Sequence, residues 1–131
     1  MTYTWVDHTA EVELVIDVSS AEAAFDEALQ AYAELVAPGA EGSWARHEVG
    51  LAAPDRAALL AAWVDELVFL AETEAFVPTR IVRLELGSDE VHAAVEGVRD
   101  APAPLVKAVT YHRLEWREDP GRVRARLVLD V

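Results

Sequence analysis

Residues 105–131 read LVKAVTYHRLEWREDPGRVRARLVLDV and predict a β-hairpin whose second strand ends in two carboxylates. Two runs in which apolar and polar residues alternate flank a Pro-Gly pair, which is typical of a turn. Alternation in the first run puts Thr110 and His112 on one face. In the return run, one face is apolar, and the other carries three arginines, Val128 and finally Asp130. Because the chain stops within this strand, the α-carboxylate of Val131 is expected at a fixed place beside Asp130.

The composition indicates one globular domain. The chain has 131 residues, of which 53% are hydrophobic, enough for a compact core. It contains no cysteine, so disulfides and thiolate ligands are excluded and any metal must bind to oxygen or imidazole. The first residues show no signal peptide and no apolar run is long enough to span a membrane, so a cytoplasmic protein without membrane contact is expected.

The net charge of −13 restricts the kinds of partner. A surface this acidic repels phosphate backbones and offers few basic side chains, so direct tight binding of nucleic acid is disfavoured. The same charge suits a divalent cation or a basic protein partner. The simpler alternative is that the excess negative charge only keeps the protein in solution.

Periodicity places two helices among the strands and predicts an α+β fold. The first helix is expected from about Ser20, because Ser19 and Glu22 form a capping-box pattern, and it ends before Pro38. The second is expected to begin after Asp55, a good N-cap residue. Strands are expected over residues 12–18, 44–53, 76–86 and 91–98, and residues 3–8 suit a strand or a loop. This order predicts two helices packed on one face of a largely antiparallel β-sheet.

Oxygen-rich segments at the two ends of the chain are candidates for a cation site. Residues 7–11 read DHTAE, and the last two residues are Asp130 and Val131. Hard cations such as calcium take carboxylate and carbonyl oxygens in irregular geometry. Sequence spacing permits Glu11 and Asp130 to meet but does not show that they do. The helix acids Asp65 and Glu66 form a third, more scattered group.

Each candidate also has a structural interpretation. Asp7 and Glu11 suit a solvated loop or a cap, His8 and His112 suit hydrogen-bonded structural imidazoles, and Lys107 suits the exposed half of a sheet. No nucleophile has an adjacent base, and the serines lack the turn context of a hydrolase. The residues alone therefore indicate an acidic α+β domain with a candidate cation site and no catalytic centre.

Four blocks, in this order, resemble the archease family. They are DHTAE at 7–11, AAF at 23–25 with LL…WVDEL over 59–67, KAVTYH at 107–112, and VLDV at 128–131. The first and third are specific, and together the blocks span nearly the whole chain. The resemblance implies a strand-helix-strand-strand module that carries a second such module as an insertion.

The resemblance also implies a function. Archeases are protein cofactors, not independent enzymes, and activate an RtcB-type RNA ligase in tRNA splicing or RNA repair by promoting its guanylylation and multiple turnover. By motif match, the metal ligands are Glu11, where the family usually has Asp, and Asp130, with the terminal carboxylate of Val131 as a further ligand. Supporting or partner-facing roles fall to Asp7, His8, Lys107 and His112. The implied cofactor is a divalent cation, calcium first and magnesium or manganese as alternatives.

Two other functions remain open at this point. One is a chaperone-like binding module for another RNA-processing client, such as a tRNA methyltransferase. The other is a metal-dependent hydrolase, which the absence of a matched acid-base pair disfavours. The metal hypothesis makes one geometric prediction: Glu11 and Asp130 lie close enough to bind one ion together.

Overall fold

Seven strands and two helices make up the computed structural model, which describes residues 2–7, 11–39, 41–101 and 106–131. The α+β prediction is confirmed, and most predicted bounds differ from the observed ones by only one or two residues. Residues 3–8, which suited a strand or a loop, fall largely within a first strand. In chain order the elements are β1 (Thr2–Asp7), β2 (Glu11–Val18), α1 (Ala21–Val36), β3 (Trp44–Ala52), α2 (Arg56–Glu74), β4 (Val77–Leu86), β5 (Glu90–Val98), β6 (Ala108–Asp119) and β7 (Arg122–Asp130).

The strands form two antiparallel sheets, where the sequence indicated one. The four-stranded sheet has the order β1-β2-β7-β6, and the three-stranded sheet has the order β3-β5-β4. Elements β3, α2, β4 and β5 are therefore a strand-helix-strand-strand module inserted into a second module made of β2, α1, β6 and β7. Both modules use the same strand order, since β2-β7-β6 corresponds to β3-β5-β4.

Both helices begin at a side-chain cap. Asp55 Oδ1 accepts a hydrogen bond from the amide of Ala58 at 2.9 Å, as predicted. The cap of α1 is Ser20, whose hydroxyl accepts from the amide of Ala23 at 3.1 Å, so the predicted capping box on Ser19 was wrong by one residue. The physical reason is that Ser20 is itself extended, with φ −151° and ψ 162°, so the first helical turn begins at Ala21 and the hydroxyl beside its free amides is that of Ser20.

The core lies where the helices meet the inner faces of the sheets. Helix α1 packs against β4 and α2 packs against β6, so the helix of each module contacts a strand of the other. Trp63 on α2 is fully buried, and its ring centroid lies 5.7 Å from that of Phe25 on α1. The two modules therefore share one continuous hydrophobic core. Among the described residues, neither helix is long and apolar enough to cross a membrane.

Strand β6 departs from regular pairing near its start. Thr110 pairs with Val128 and Glu115 pairs with Arg126, so four residues of β6, 111–114, face a single residue of β7. Arg113, within this bulge, has the left-handed φ of 61°. The predicted alternation, which put Thr110 and His112 on one face, is therefore wrong beyond Thr110, because a bulge breaks the two-residue period.

The β6–β7 hairpin is tied to the start of α2 by an ion pair. Arg56 Nη1 donates to both carboxylate oxygens of Glu118, at 2.7 Å and 2.9 Å, and Arg56 Nε donates to the carbonyl oxygen of Gly87 at 3.2 Å. The hydrogen bond from Arg56 lowers the pKa of Glu118 below its ordinary value.

The Arg56–Glu118 pair predicts a pH-dependent contribution to stability. A carboxyl whose folded pKa is lowered stabilises the fold fully above its unfolded pKa of about 4.3, and this contribution is lost as the pH falls through the lower folded value. We expect Glu118→Gln to be less stable than the original protein near neutral pH, and the difference to shrink in acid. Urea unfolding of both proteins across this pH range checks it, and a difference that stays constant in acid would contradict the assignment.

Candidate functional site

Glu11 and Asp130 are direct partners across the four-stranded sheet. Glu11 is the first residue of β2 and Asp130 is the last residue of β7, and the antiparallel register sets them opposite each other. Side chains at such a pair lie on the same face, with Cβ atoms about 5 Å apart. Both residues are half-buried. The geometric prediction from the sequence, that these two acids come within reach of one ion, agrees with this register.

The pair sets two negative charges directly opposite each other. Like charges directly opposite each other on neighbouring strands destabilise a sheet. Among the residues that the structure describes, neither Glu11 nor Asp130 has a salt-bridge partner. Two hard oxygen donors at this spacing fit calcium or magnesium, whose remaining ligands are commonly water or carbonyl oxygen. The donor set therefore suits the divalent cation that the sequence implied.

A second polar group lies one row further along the same face. Thr110 pairs with Val128, two residues before Asp130, and so shares its face of the sheet. The hydroxyl oxygen of Thr110 is buried and has no hydrogen-bond partner among the described residues. A buried hydroxyl without a partner is costly. Thr110 therefore adds a polar oxygen near the carboxylate pair that the sequence did not single out.

Glu13 and its two arginines lie in the same row as Thr110, on the other side of Val128. Glu13 is 4% exposed, although it lies on the outer face two residues from Glu11. Its Oε1 lies 3.4 Å from Arg126 Nε and 3.6 Å from Arg113 Nη2. The bulge in β6 carries Arg113 to this position. Alternation along β2 would have identified Glu13 as an outward acid, but no local signal predicts its burial or the left-handed Arg113.

Four other predicted site residues lie in β1, in β6 or directly beside β6 and β7. The backbone amide of Lys107 donates to the carbonyl oxygen of Asp130 at 2.8 Å, while its side chain is exposed. Val131 follows Asp130 directly and is exposed, and His112 is exposed in the bulge of β6. Asp7 ends β1 opposite Val12. His8 lies outside the described residues.

The described part of the chain contains no group of three or more acidic, histidine or cysteine side chains placed to bind one metal ion. Glu11 and Asp130 are therefore two protein ligands of a candidate site, and a cation there would take further ligands from water, backbone or a partner. Such a site binds a cation at a surface where another molecule can approach it.

Comparison with protein families gives a match over nearly the whole chain. The model of the Archease protein family (MTH1598/TM1083) matches residues 3–131. Protein archease of Pyrobaculum islandicum is 31% identical over 140 residues, covering 98% of this chain and 95% of the relative. Protein archease of Methanosarcina mazei is 29% identical over 139 residues, with the same coverage of each chain.

Two solved structures share this fold. Protein 1598 of Methanobacterium thermoautotrophicum, solved in solution, superposes with a TM-score of 0.72 and 26% identity, and the match covers 98% of each chain. The crystal structure from Thermotoga maritima, described as an archease and a possible chaperone, gives a TM-score of 0.71 at 20% identity, covering 96% of this chain and 94% of that one. At that identity, the second likeness concerns the fold alone.

Proposed function

This chain belongs to the archease family, and from this premise we propose that it is a cation-binding protein cofactor that activates an RtcB-type RNA ligase in the cytoplasm. In this proposal the protein catalyses no reaction itself and promotes guanylylation and multiple turnover of the ligase. The observation that carries the proposal is the cross-strand pairing of Glu11 with Asp130, because these two acids match the metal-binding positions of the family.

The roles of the residues follow from their positions. Glu11 and Asp130 bind the cation, with the carboxylate of Val131 as a further ligand, and Glu13 in the next row pairs with Arg113 and Arg126. Lys107 and His112 are exposed next to this site and are available to a partner. When bound, the cation supplies positive charge that can bridge the protein to a phosphate held by the ligase. Asp7 and His8 keep the supporting roles that their motif implies.

The charge distribution supports a protein partner. Helices α1 and α2 contain the acids Glu22, Asp26, Glu27, Glu34, Asp65, Glu66, Glu72 and Glu74, and Arg56 is their only basic residue. A surface with one sign of charge steers association with a partner of the opposite sign. The acidic helices therefore suit a basic surface on the ligase.

The ligase itself tests the proposal. We expect this protein to convert its cognate ligase from single to multiple turnover, and Asp130→Asn to abolish this stimulation while the protein stays folded. The measurement is ligated RNA per ligase molecule over time, with Asp89→Asn, an exposed acid on a turn, as the matched control. Full stimulation by Asp130→Asn would refute the role of the carboxylate, and no stimulation by the original protein would refute the proposed function.

A chaperone-like role for another RNA-processing client, such as a tRNA methyltransferase, is the second candidate. It is favoured by the description of the Thermotoga maritima protein as a possible chaperone. Under this alternative the cation is incidental, and a tagged protein recovers the methyltransferase from cell extracts without the ligase. Recovery of the ligase supports the first candidate instead.

A further inference from the structure

One end of the three-stranded sheet in the inserted module corresponds in position to the candidate cation site of the four-stranded sheet. In the four-stranded sheet, Glu11 pairs with Asp130, which pairs with Ala108. In the three-stranded sheet, the corresponding first and last residues also pair: Trp44 opens β3 opposite Val98, and Val77 opens β4 opposite the same residue. The same end of each module therefore carries a different chemistry: Glu11 and Asp130 in one module, and the exposed Trp44 beside the buried Val98 and Val77 in the other.

A cleft lies at this end of the three-stranded sheet. Its volume is about 510 Å³, within the range of small-molecule sites. It is lined by Trp44, Ala45, Arg46, Arg80 and Glu96. Trp44 is 65% exposed, which is unusual for the largest apolar side chain and leaves most of the indole accessible to a ligand.

A bulge and a glycine position the basic side of the cleft. Pairing along β4 shifts by one residue between Pro78 and Arg80, so Arg80 is set opposite Glu96 on the outer face. Without the extra residue, the two-residue period would turn Arg80 towards the core. Gly97 permits this arrangement, because a Cβ there would lie 2.1 Å from the carbonyl oxygen of Val77.

The charges in the cleft leave one guanidinium available. Glu96 accepts a hydrogen bond from Arg80 Nε at 2.9 Å and neutralises that side chain. Arg46 on β3 pairs with Glu96 from the side opposite Arg80. Arg46 is exposed and has no salt-bridge partner among the described residues. The cleft therefore combines an exposed indole with one guanidinium that forms no ion pair with the described residues.

We propose that this cleft binds a nucleoside phosphate, with the base stacked on Trp44 and the phosphate paired with Arg46. Stacking of a base on an aromatic side chain, with an arginine on the phosphate, is how proteins commonly bind single nucleotides of a strand. The net charge of the protein does not prevent this, because charges further than about 8 Å away are largely screened at physiological ionic strength. The site goes beyond the proposed function and is independent of Glu11 and Asp130.

Titration with AMP tests the proposal by calorimetry. We expect saturable binding that weakens with salt, and weaker binding of adenosine, which lacks the phosphate. Trp44→Ala and Arg46→Ala should each weaken AMP binding at least about fivefold, the lower end of the effect of removing one stacking side chain. Both side chains are exposed, so the variants should fold, which circular dichroism checks.

Arg117→Ala is the matched control, because Arg117 is an exposed arginine on the outer face of the other sheet. We expect it to bind AMP as the original protein does. A short oligoadenylate shows whether the cleft binds a nucleic acid strand or a free nucleotide. If it binds more tightly than AMP and loses this binding in Trp44→Ala and Arg46→Ala, the ligand is a strand. Equal or weaker binding indicates the free nucleotide. Absence of saturable AMP binding, or binding unchanged in Trp44→Ala, overturns the proposal, and neither result bears on stimulation of the ligase.

Discussion

Replacing Trp63 by alanine is expected to lower the free energy of unfolding by about 3–5 kcal/mol, the usual cost of removing a large buried aromatic side chain. Trp63 is fully buried in α2, and its Nε1 donates to the backbone carbonyl oxygen of Phe25 in α1 at 3.1 Å. The substitution removes the contact and the hydrogen bond that join the helices of the two modules. Because a domain is stable by only about 5–15 kcal/mol, the loss is a large part of the total.

Phe69→Ala, in the same helix, is the control for this prediction. Phe69 is 54% exposed, so its removal leaves no cavity in the core, and we expect a change of only about 0.5 kcal/mol. Urea unfolding of both variants measures the two values. Similar losses in Trp63→Ala and Phe69→Ala would show that the shared core does not depend on Trp63 in the way its burial implies.

Asp130→Asn is expected to change stability in opposite directions with and without calcium. In a chelator, the variant should be more stable by up to about 1 kcal/mol, because the substitution removes the like-charge repulsion with Glu11. With calcium at about 100 times its dissociation constant, the original protein should gain about 2.7 kcal/mol and the variant much less. The order of stability of the two proteins therefore reverses, which thermal unfolding in both conditions measures.

Glu11→Gln should behave like Asp130→Asn, since it removes the other member of the same pair. Asp89→Asn removes one exposed acid far from this pair in sequence and should follow the original protein in both conditions. A variant that is destabilised in the chelator, or one that gains as much from calcium as the original protein, would contradict the cation site. This test needs no ligase, so it separates cation binding from the proposed activity.

The sequence pattern predicted the helices, strands and turns well, because the residues that specify each of them are close together in the chain. The cap at Asp55 and the hairpin around the Pro-Gly turn follow from turn and helix chemistry that acts over a few residues. The same reasoning placed the cap at Ser19 and not at Ser20, because two adjacent serines offer the same cap chemistry and only the backbone shows which of them is extended. It failed again in β6, where the bulge at residues 111–114 has no composition signal.

The candidate sites depended on information that no local pattern contains. Alternation identified Asp130 as an outward acid, and family motifs paired it with Glu11, but a shift of one residue in the β2–β7 register would separate them. The Trp44 cleft was not predicted at all. Its residues Trp44, Arg80 and Glu96 lie on three different strands, and a bulge in β4 turns Arg80 to the outer face.

The acidic α+β character, the two helices, the C-terminal hairpin and the outward position of Asp130 all follow from the order of the residues along the chain. The division of the strands into two sheets, the pairing of Glu11 with Asp130, the burial of Glu13 beside two arginines and the cleft at Trp44 appear only in the folded molecule. The physical reason is that periodicity sets which face a side chain occupies. Strand register, bulges and the packing of distant elements set which side chains become neighbours.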